Sequence, residues 1–336
     1  MAVMKDVAKL AEVSISTVSF VLNGTAKKHK VADKTAIKVL KAAKQLGYKV
    51  NAPHNGESVQ LPSTIAFFTP MDSARLDMNI VYESVSKHIK QSAVPYNVLI
   101  CPYEKGQLLN KIKQVDVSDY GSAVVGVENV RDLEALEHSD AYLPFVLFNA
   151  ASRRFSSVFG HIDESIAQIV GMITAKGYHK IVILSGSDTR ESGNEYLETL
   201  LRLLEENGIP IPDSSLISND NMTLGGALAA RRILTMEQMP EMIICLNSAL
   251  AYGAIPLLAR NGFLIPRDAE LVCFGSPADA DLAANYFPTL SMVSVPLDEI
   301  TRRAFEIAVH LLGGGVTEPL HLECPCKLVL NDSFSV

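Results

Sequence analysis

Three things are scarce in this sequence: cysteine, long uncharged apolar runs, and arginine at the amino end. The five cysteines (Cys101, Cys245, Cys273, Cys324 and Cys326) are an odd number at scattered spacing. That argues against a disulfide framework and suits the reduced thiols of a cytoplasmic protein. No uncharged, wholly apolar stretch approaches the roughly 20 residues needed to cross a bilayer. The opening MAVMKDVAKLAE mixes charge among small apolar residues where a signal peptide would carry an apolar run. No membrane role is expected. Neither G-x-G-x-x-G nor G-x-x-x-x-G-K-[ST] occurs, so a nucleotide-dependent enzyme has no support. Cys324-Pro325-Cys326 with His321 nearby falls short of the four ligands of a structural zinc site. Gly313-Gly314-Gly315 reads as a helix stop, and His161-Ile162-Asp163 has no evident nucleophile beside it. The expectation is no enzyme, no metal and no cofactor.

What is present is charge, unevenly placed. The net charge of the 336 residues is −7. Residues 1–56 hold ten lysines, no arginine and three carboxylates (Asp6, Glu12 and Asp33), a local charge of +7, which leaves −14 for the rest. A basic head on an acidic body suits a protein that grips a polyanion at one end. A lysine-rich solvated helix face is the plainer alternative. The length implies two or three globular units.

Within the basic head the spacing predicts three short helices. The first, Lys5 to Ala11, turns Val7, Ala8, Leu10 and Ala11 inward. Ser14 can cap a second helix, Ile15 to Leu22, because its hydroxyl can accept from a freed backbone N–H. There Val18, Val21 and Leu22 recur at core spacing, while Ile15, Ser16, Ser19 and Phe20 face out. A third helix runs from about Asp33 to Leu46, with Gly47 as its stop. Two short helices joined by a turn, in a basic unit, suit a helix-turn-helix whose second helix enters the major groove. Base edges would then meet Ile15 and Ser16, and Ser14, Thr17, Ser19 and Asn23 would bond phosphates. Periodicity alone fits a generic three-helix bundle equally well.

The residues go further. DVAKLAEVSISTVSFVLNG, followed by KTAIKVLKAAKQLGYKVN, resembles the DNA-binding head of the lactose-repressor/galactose-repressor family over some 45 residues. The resemblance implies a transcription regulator that binds double-stranded DNA, at a palindromic operator if dimeric. Lys5, Tyr48 and Asn51 complete the DNA-contacting set that it implies. Phe20 stands where the family usually has a base-reading arginine. A bidentate guanine contact is thereby lost, and an aromatic ring there can touch a thymine methyl instead. The loop GTAKKHKVA is longer and more basic than usual, and Lys27, Lys28 and Lys30 are its expected phosphate contacts. In the linker KVNAPHNGESVQLP, the family's intercalating leucine falls on Glu57, which phosphates would repel. Asn55-Gly56 disfavours a hinge helix, so weaker DNA bending than in typical relatives is expected.

From Ser63 on, buried strands such as TIAFFTP, SAVVGV, KIVILSG and ELVCFG alternate with amphipathic helices, twice over. That rhythm predicts parallel sheets covered by helices, in two similar lobes. YHKIVILSG, IICLN and FPTLSMVSVPLDEI also resemble landmarks of the family's sensing core, which has a type I periplasmic-binding-protein fold. The expected class is therefore α/β: a three-helix helix-turn-helix head, residues 1–50, a linker, 51–62, and a two-lobed core, 63–336. The first lobe is expected at about 63–160 and 291–318, the second at about 161–290 and 319–336.

Ligands of open α/β folds sit at strand ends, here in a cleft between lobes. The resemblance puts Arg190 at the family's effector arginine, with Thr69, Asn149, Asn247, Gly275 and Ser276 as further candidates. Gly275 replaces a usual aspartate, and a structural cap or turn is the equal alternative for Asn149 and Asn247. A small polar effector is implied, a sugar or sugar derivative. The absence of a heptad-bearing tail after CKLVLN favours a homodimer over a tetramer. A diverged ligand- or protein-binding module with weakened DNA binding is the main alternative function.

Overall fold

A computed structural model describes residues 3–23, 25–26, 28–46, 48, 63–71, 78–116, 119–139, 144–186, 195–220, 222–312 and 318–335. The chain packs as two units. Met1–Asp72, Tyr82–Phe159 and Ile300–Leu322 make the first, and Ser73–Val81, Gly160–Glu299 and Glu323–Val336 the second.

The first unit opens with α1 (Met4–Ala11), α2 (Ile15–Leu22) and α3 (Asp33–Gln45). Their cores meet through small residues: Val7, Ala8 and Ala11 from α1, Val18, Val21 and Leu22 from α2, and Ala36, Val39, Ala42 and Ala43 from α3. Alanine at the contacts lets short helices approach closely, and each buries only one stripe. α1 ends at Glu12, which adopts a left-handed conformation with φ of 54°. Ser14 then restarts the helix, its hydroxyl accepting from the Thr17 N–H at 3.1 Å.

The rest of this unit is a sheet in the order β11-β5-β4-β3-β1-β2. Its strands are β1 (Thr64–Pro70), β2 (Asn97–Tyr103), β3 (Ser122–Gly126), β4 (Phe145–Phe148), β5 (Ser156–His161) and β11 (His321–Pro325). The pairings from β2 through β5 are parallel. Helices α4 (Met78–Gln91), α5 (Leu108–Gln114) and α6 (Val130–Glu137) connect them. β1 and β3 are apolar and buried almost throughout, as strands covered on both faces must be.

The second unit repeats the plan, in the order β12-β10-β9-β8-β6-β7. Its elements are α7 (Asp163–Lys176), β6 (Ile181–Gly186), α8 (Glu195–Glu206), β7 (Leu216–Asn219), α9 (Thr223–Ile233) and β8 (Met242–Cys245). Then come α10 (Ser248–Arg260), β9 (Glu270–Gly275), α11 (Pro277–Ala283), β10 (Ser291–Ser294) and β12 (Lys327–Val329), while α12 (Leu297–Leu312) belongs from Ile300 on to the first unit.

Two boundaries differ from the sequence reading. Residues 291–294 were expected in the first lobe, but β10 pairs in parallel with β9 inside the second sheet, so the chain crosses along α12. Residues from 319 were expected in the second lobe, but β11 returns to the first sheet beside β5, and β12 alone joins the second. Both are short segments, and β11 in particular finds its partner β5 about 160 residues back, which local patterning does not record.

In the second unit α9 and α10 touch backbone to backbone. A Cβ on Gly226 would lie 2.1 Å from the Leu250 carbonyl oxygen, and one on Gly253 would lie 1.8 Å from that of Thr223. Gly253→Ala must therefore push the helices apart, with an expected loss of about 1–3 kcal/mol. Gly171→Ala on α7, where a Cβ meets open space, should instead gain about 0.5–1 kcal/mol. Urea unfolding of the two variants checks the contrast, and equal effects would contradict this packing.

Candidate DNA interface and effector site

α2 is positioned by its buried side. With Val18, Val21 and Leu22 fixed in the head core, the opposite side is turned outward. Ile15 is 50% exposed, Ser16 is exposed and Phe20 is half-buried. The hydroxyls at the start of the helix form a small network: Ser14 Oγ lies 2.7 Å from Ser16 Oγ and 2.8 Å from Thr17 Oγ1. At the other end Asn23 Nδ2 donates to Ser19 Oγ at 3.1 Å. Sequence reasoning had these residues on one surface, and the structure brings them together there.

The lysines divide into two groups. Lys38 is paired with Glu12 at 2.8 Å, which holds the Glu12 carboxyl below the usual carboxylate range. Lys34 is paired with Asp116 at 2.7 Å. Lys41 is fully buried; its ammonium donates to the Tyr120 carbonyl and lies 4.2 Å from the centre of the Tyr120 ring. A buried ammonium needs such partners, because desolvation alone costs several kcal/mol. These three therefore brace the head and tie α3 to the segment before β3. Lys5, Lys9, Lys28 and Lys30 are exposed. The raw charge count of the head overstates what can face a polyanion.

Tyr48 is half-buried against the head core, with its N–H bonded to the Ala43 carbonyl at 2.9 Å, a closing role for α3. Lys27, Gly47, Asn51 and the linker residue Glu57 lie outside the described residues. His29 was not singled out from the sequence, yet its ring stacks on that of Phe20 at 3.7 Å between centroids. Only the loop's geometry brings residues 20 and 29 together.

At the strand ends the candidate effector residues fall into two kinds. Thr69 is buried in β1, and Asn149 follows β4 in a left-handed conformation with φ of 55°. Its N–H bonds the Val158 carbonyl at 2.8 Å. Both sit at carboxyl ends of strands flanking β3. In the second unit Asn247 caps α10, its Oδ1 accepting from the Leu250 N–H at 2.8 Å. Ser276 caps α11 in a reciprocal box with Asp279, whose Oδ2 accepts from the Ser276 N–H at 2.9 Å and from Ser276 Oγ at 2.7 Å. Ser248 Oγ donates to the same carboxylate at 2.9 Å. A Cβ at Gly275 would lie 2.8 Å from Met292 Sδ and 3.1 Å from Asp279 Oδ2. The Asp279 carboxylate thus crowds the room an aspartate at 275 would use, and the capping-box spacing of Ser276-Pro277-Ala278-Asp279 is the sequence signal that could have found it. Arg190 lies outside the described residues.

Among the described residues no group of three or more His, Cys, Asp or Glu is arranged to hold a metal, and no helix is long and apolar enough to cross a membrane.

Comparison with known proteins speaks to both parts. Residues 3–51 match the model of bacterial regulatory proteins of the lacI family, and residues 170–334 match that of a periplasmic binding protein-like domain. The HTH-type transcriptional repressor PurR of Vibrio cholerae serotype O1 is 26% identical over 342 residues, covering 99% of this chain and 98% of the relative. The chain belongs to the lactose-repressor/galactose-repressor family. As a member it is a DNA-binding transcription regulator, not an enzyme. Two solved structures share its fold. A LacI family transcription regulator from Clostridium acetobutylicum has a TM-score of 0.69 at 22% identity, covering 80% of this chain and 99% of the other. The regulator CelR in complex with cellobiose has a TM-score of 0.67 at 19% identity, covering 99% and 100%.

The two roles open to Ser276 are separable. Ser276→Ala should lower stability by about 0.5–2 kcal/mol through loss of the α11 cap, as melting will measure. An unchanged melting point would return Ser276 to the effector contacts.

Proposed function

We propose that this family member is a cytoplasmic homodimeric repressor that reads a palindromic operator through α2 and is controlled by a small polar effector. The observation that carries the DNA reading is the two-sided character of α2. One face is locked into an alanine-rich core, and the other presents Ile15, Ser16 and Phe20 within a basic head. Repression is inferred from the relative that is named a transcriptional repressor at 26% identity.

The dimer draws on exposed apolar side chains. On the second unit Leu224 and Leu228, 65% and 42% exposed, share one side of α9, with Met222 at 63% just before them. Leu282 at 55% and Phe287 at 92% add to the exposed apolar surface of the same unit. Water-facing leucines at that density favour cover by a second copy. Leu228→Glu should shift the protein toward monomer in sedimentation equilibrium, and an unchanged mass would count against this face.

The effector reading rests on Thr69 and Asn149 in the first unit and on Arg190, whose planar fork suits paired hydroxyls or an anionic group. With Asn247, Ser276 and Asp279 engaged in caps, few acceptors are left for a neutral hexose, so an anionic sugar derivative is favoured over a plain sugar. Calorimetry with sugars and phosphosugars checks this; binding is expected for a phosphosugar, and silence across the whole set would defeat it. The rival reading, a diverged module with weakened DNA binding, draws on the same engaged caps and on Glu57 in the linker.

A gel shift on genomic fragments with competitor DNA separates the two, since specific binding survives competition. On the fragments so retained, Lys28→Ala should weaken binding uniformly and reduce the slope of log K against log salt by about 0.9. A slope that does not change would exclude a phosphate contact at Lys28.

A further inference from the structure

We propose that His29 is a positioning residue for operator sequence preference, holding the Phe20 ring in place by stacking on it. The inference rests on the proposal that α2 reads DNA. The two rings are within 7° of parallel, with centroids 3.7 Å apart. Phe20 lies one helical turn after Ser16 on the outward side of α2, so its ring is the bulkiest group that face offers.

The loop that carries His29 is bound back onto Phe20 itself. The Thr25 N–H and hydroxyl both donate to the Phe20 carbonyl, at 2.8 and 3.1 Å. The His29 N–H donates to the Thr25 carbonyl at 3.2 Å, and the Val31 N–H to that of Ala26 at 2.9 Å. Lys30 takes a left-handed conformation with φ of 56°, and Val31 packs on the head core. The loop is thus closed on both sides of His29, which sets the imidazole over the benzyl ring.

The chemistry explains why such a support is needed. A phenyl ring has no hydrogen-bonding group to fix its pose against a base edge, unlike an arginine held by two bonds to guanine. An apolar reader discriminates a thymine methyl by position alone. With one face covered by His29, the ring loses rotational freedom before DNA arrives, and its other face and edge are left for the duplex. His29 is exposed and contributes nothing to the head core, so its removal should alter preference without altering the fold.

The test is selection of bound duplexes from a random double-stranded pool with the full-length protein. Wild type, Phe20→Ala, His29→Ala and His29→Phe are compared, with melting temperatures alongside. Wild type should return a motif, and Phe20→Ala should lose preference at one base pair of each half-site. His29→Ala should weaken preference at that same base pair, by about two- to tenfold, with the melting temperature and the affinity for an unrelated duplex unchanged. His29→Phe, which can still stack, should retain it. A wild-type motif that His29→Ala leaves intact, or that His29→Phe damages equally, overturns the proposal while the DNA reading stands. No motif from wild type overturns both.

Discussion

The proposed reading of DNA depends on how one eight-residue helix is held. α2 is too short to be stable alone, since helix nucleation is unfavourable and short helices are marginal in water. It exists because Val18, Val21 and Leu22 are locked against the alanines of α1 and α3, and because Ser14 satisfies the amide of Thr17 at its start. The same fixation determines what faces outward. The outward side chains are not long and charged but small or apolar: Ile15, Ser16 and Phe20. On the proposed reading, long-range attraction comes from the exposed lysines around the helix and discrimination from the shape of the helix face, a division common to many DNA readers.

The lysines illustrate why charge counts mislead. Of those in the head, Lys34 and Lys38 are in ion pairs and Lys41 is wholly buried. Lys41 belongs to α3 by sequence but to the boundary with the first sheet by contact. Tyr120, which receives it, also meets Phe68 edge-on, with ring centres 6.0 Å apart, and Phe68 neighbours Thr69 in β1. The head is thus braced against the strand that carries an effector candidate.

Much of the fold was legible in the residues. The bounds of α2 were read correctly from the serine cap and the apolar spacing, and strands such as β1 and β6 were plain as unbroken apolar runs. What escaped reading had no local signature. β5 is buried despite two serines, because Leu320 N–H donates to Ser156 Oγ and Ser157 Oγ pairs with His321 across 164 residues. α9 contains Gly225-Gly226, a turn signal by composition, but tertiary contact overrides propensity: Gly226 lets α10 approach and Gly225 lies against the Asp220 backbone. At the sites, Asn149 and Asn247 were open between a cap or turn and ligand contact; Asn247 caps α10 and Asn149 takes a left-handed conformation after β4. The stacking of His29 on Phe20 depends on loop closure, which no spacing rule reports.

The most direct measurement of the central claim is amide hydrogen exchange of the full-length protein with and without a duplex that it selects. If α2 lies in the groove, protection on binding should concentrate at residues 15–23 and in the exposed loop at 28–30, with little change along the buried face of α3. Protection that spares residues 15–23 while the complex is fully formed would contradict the account.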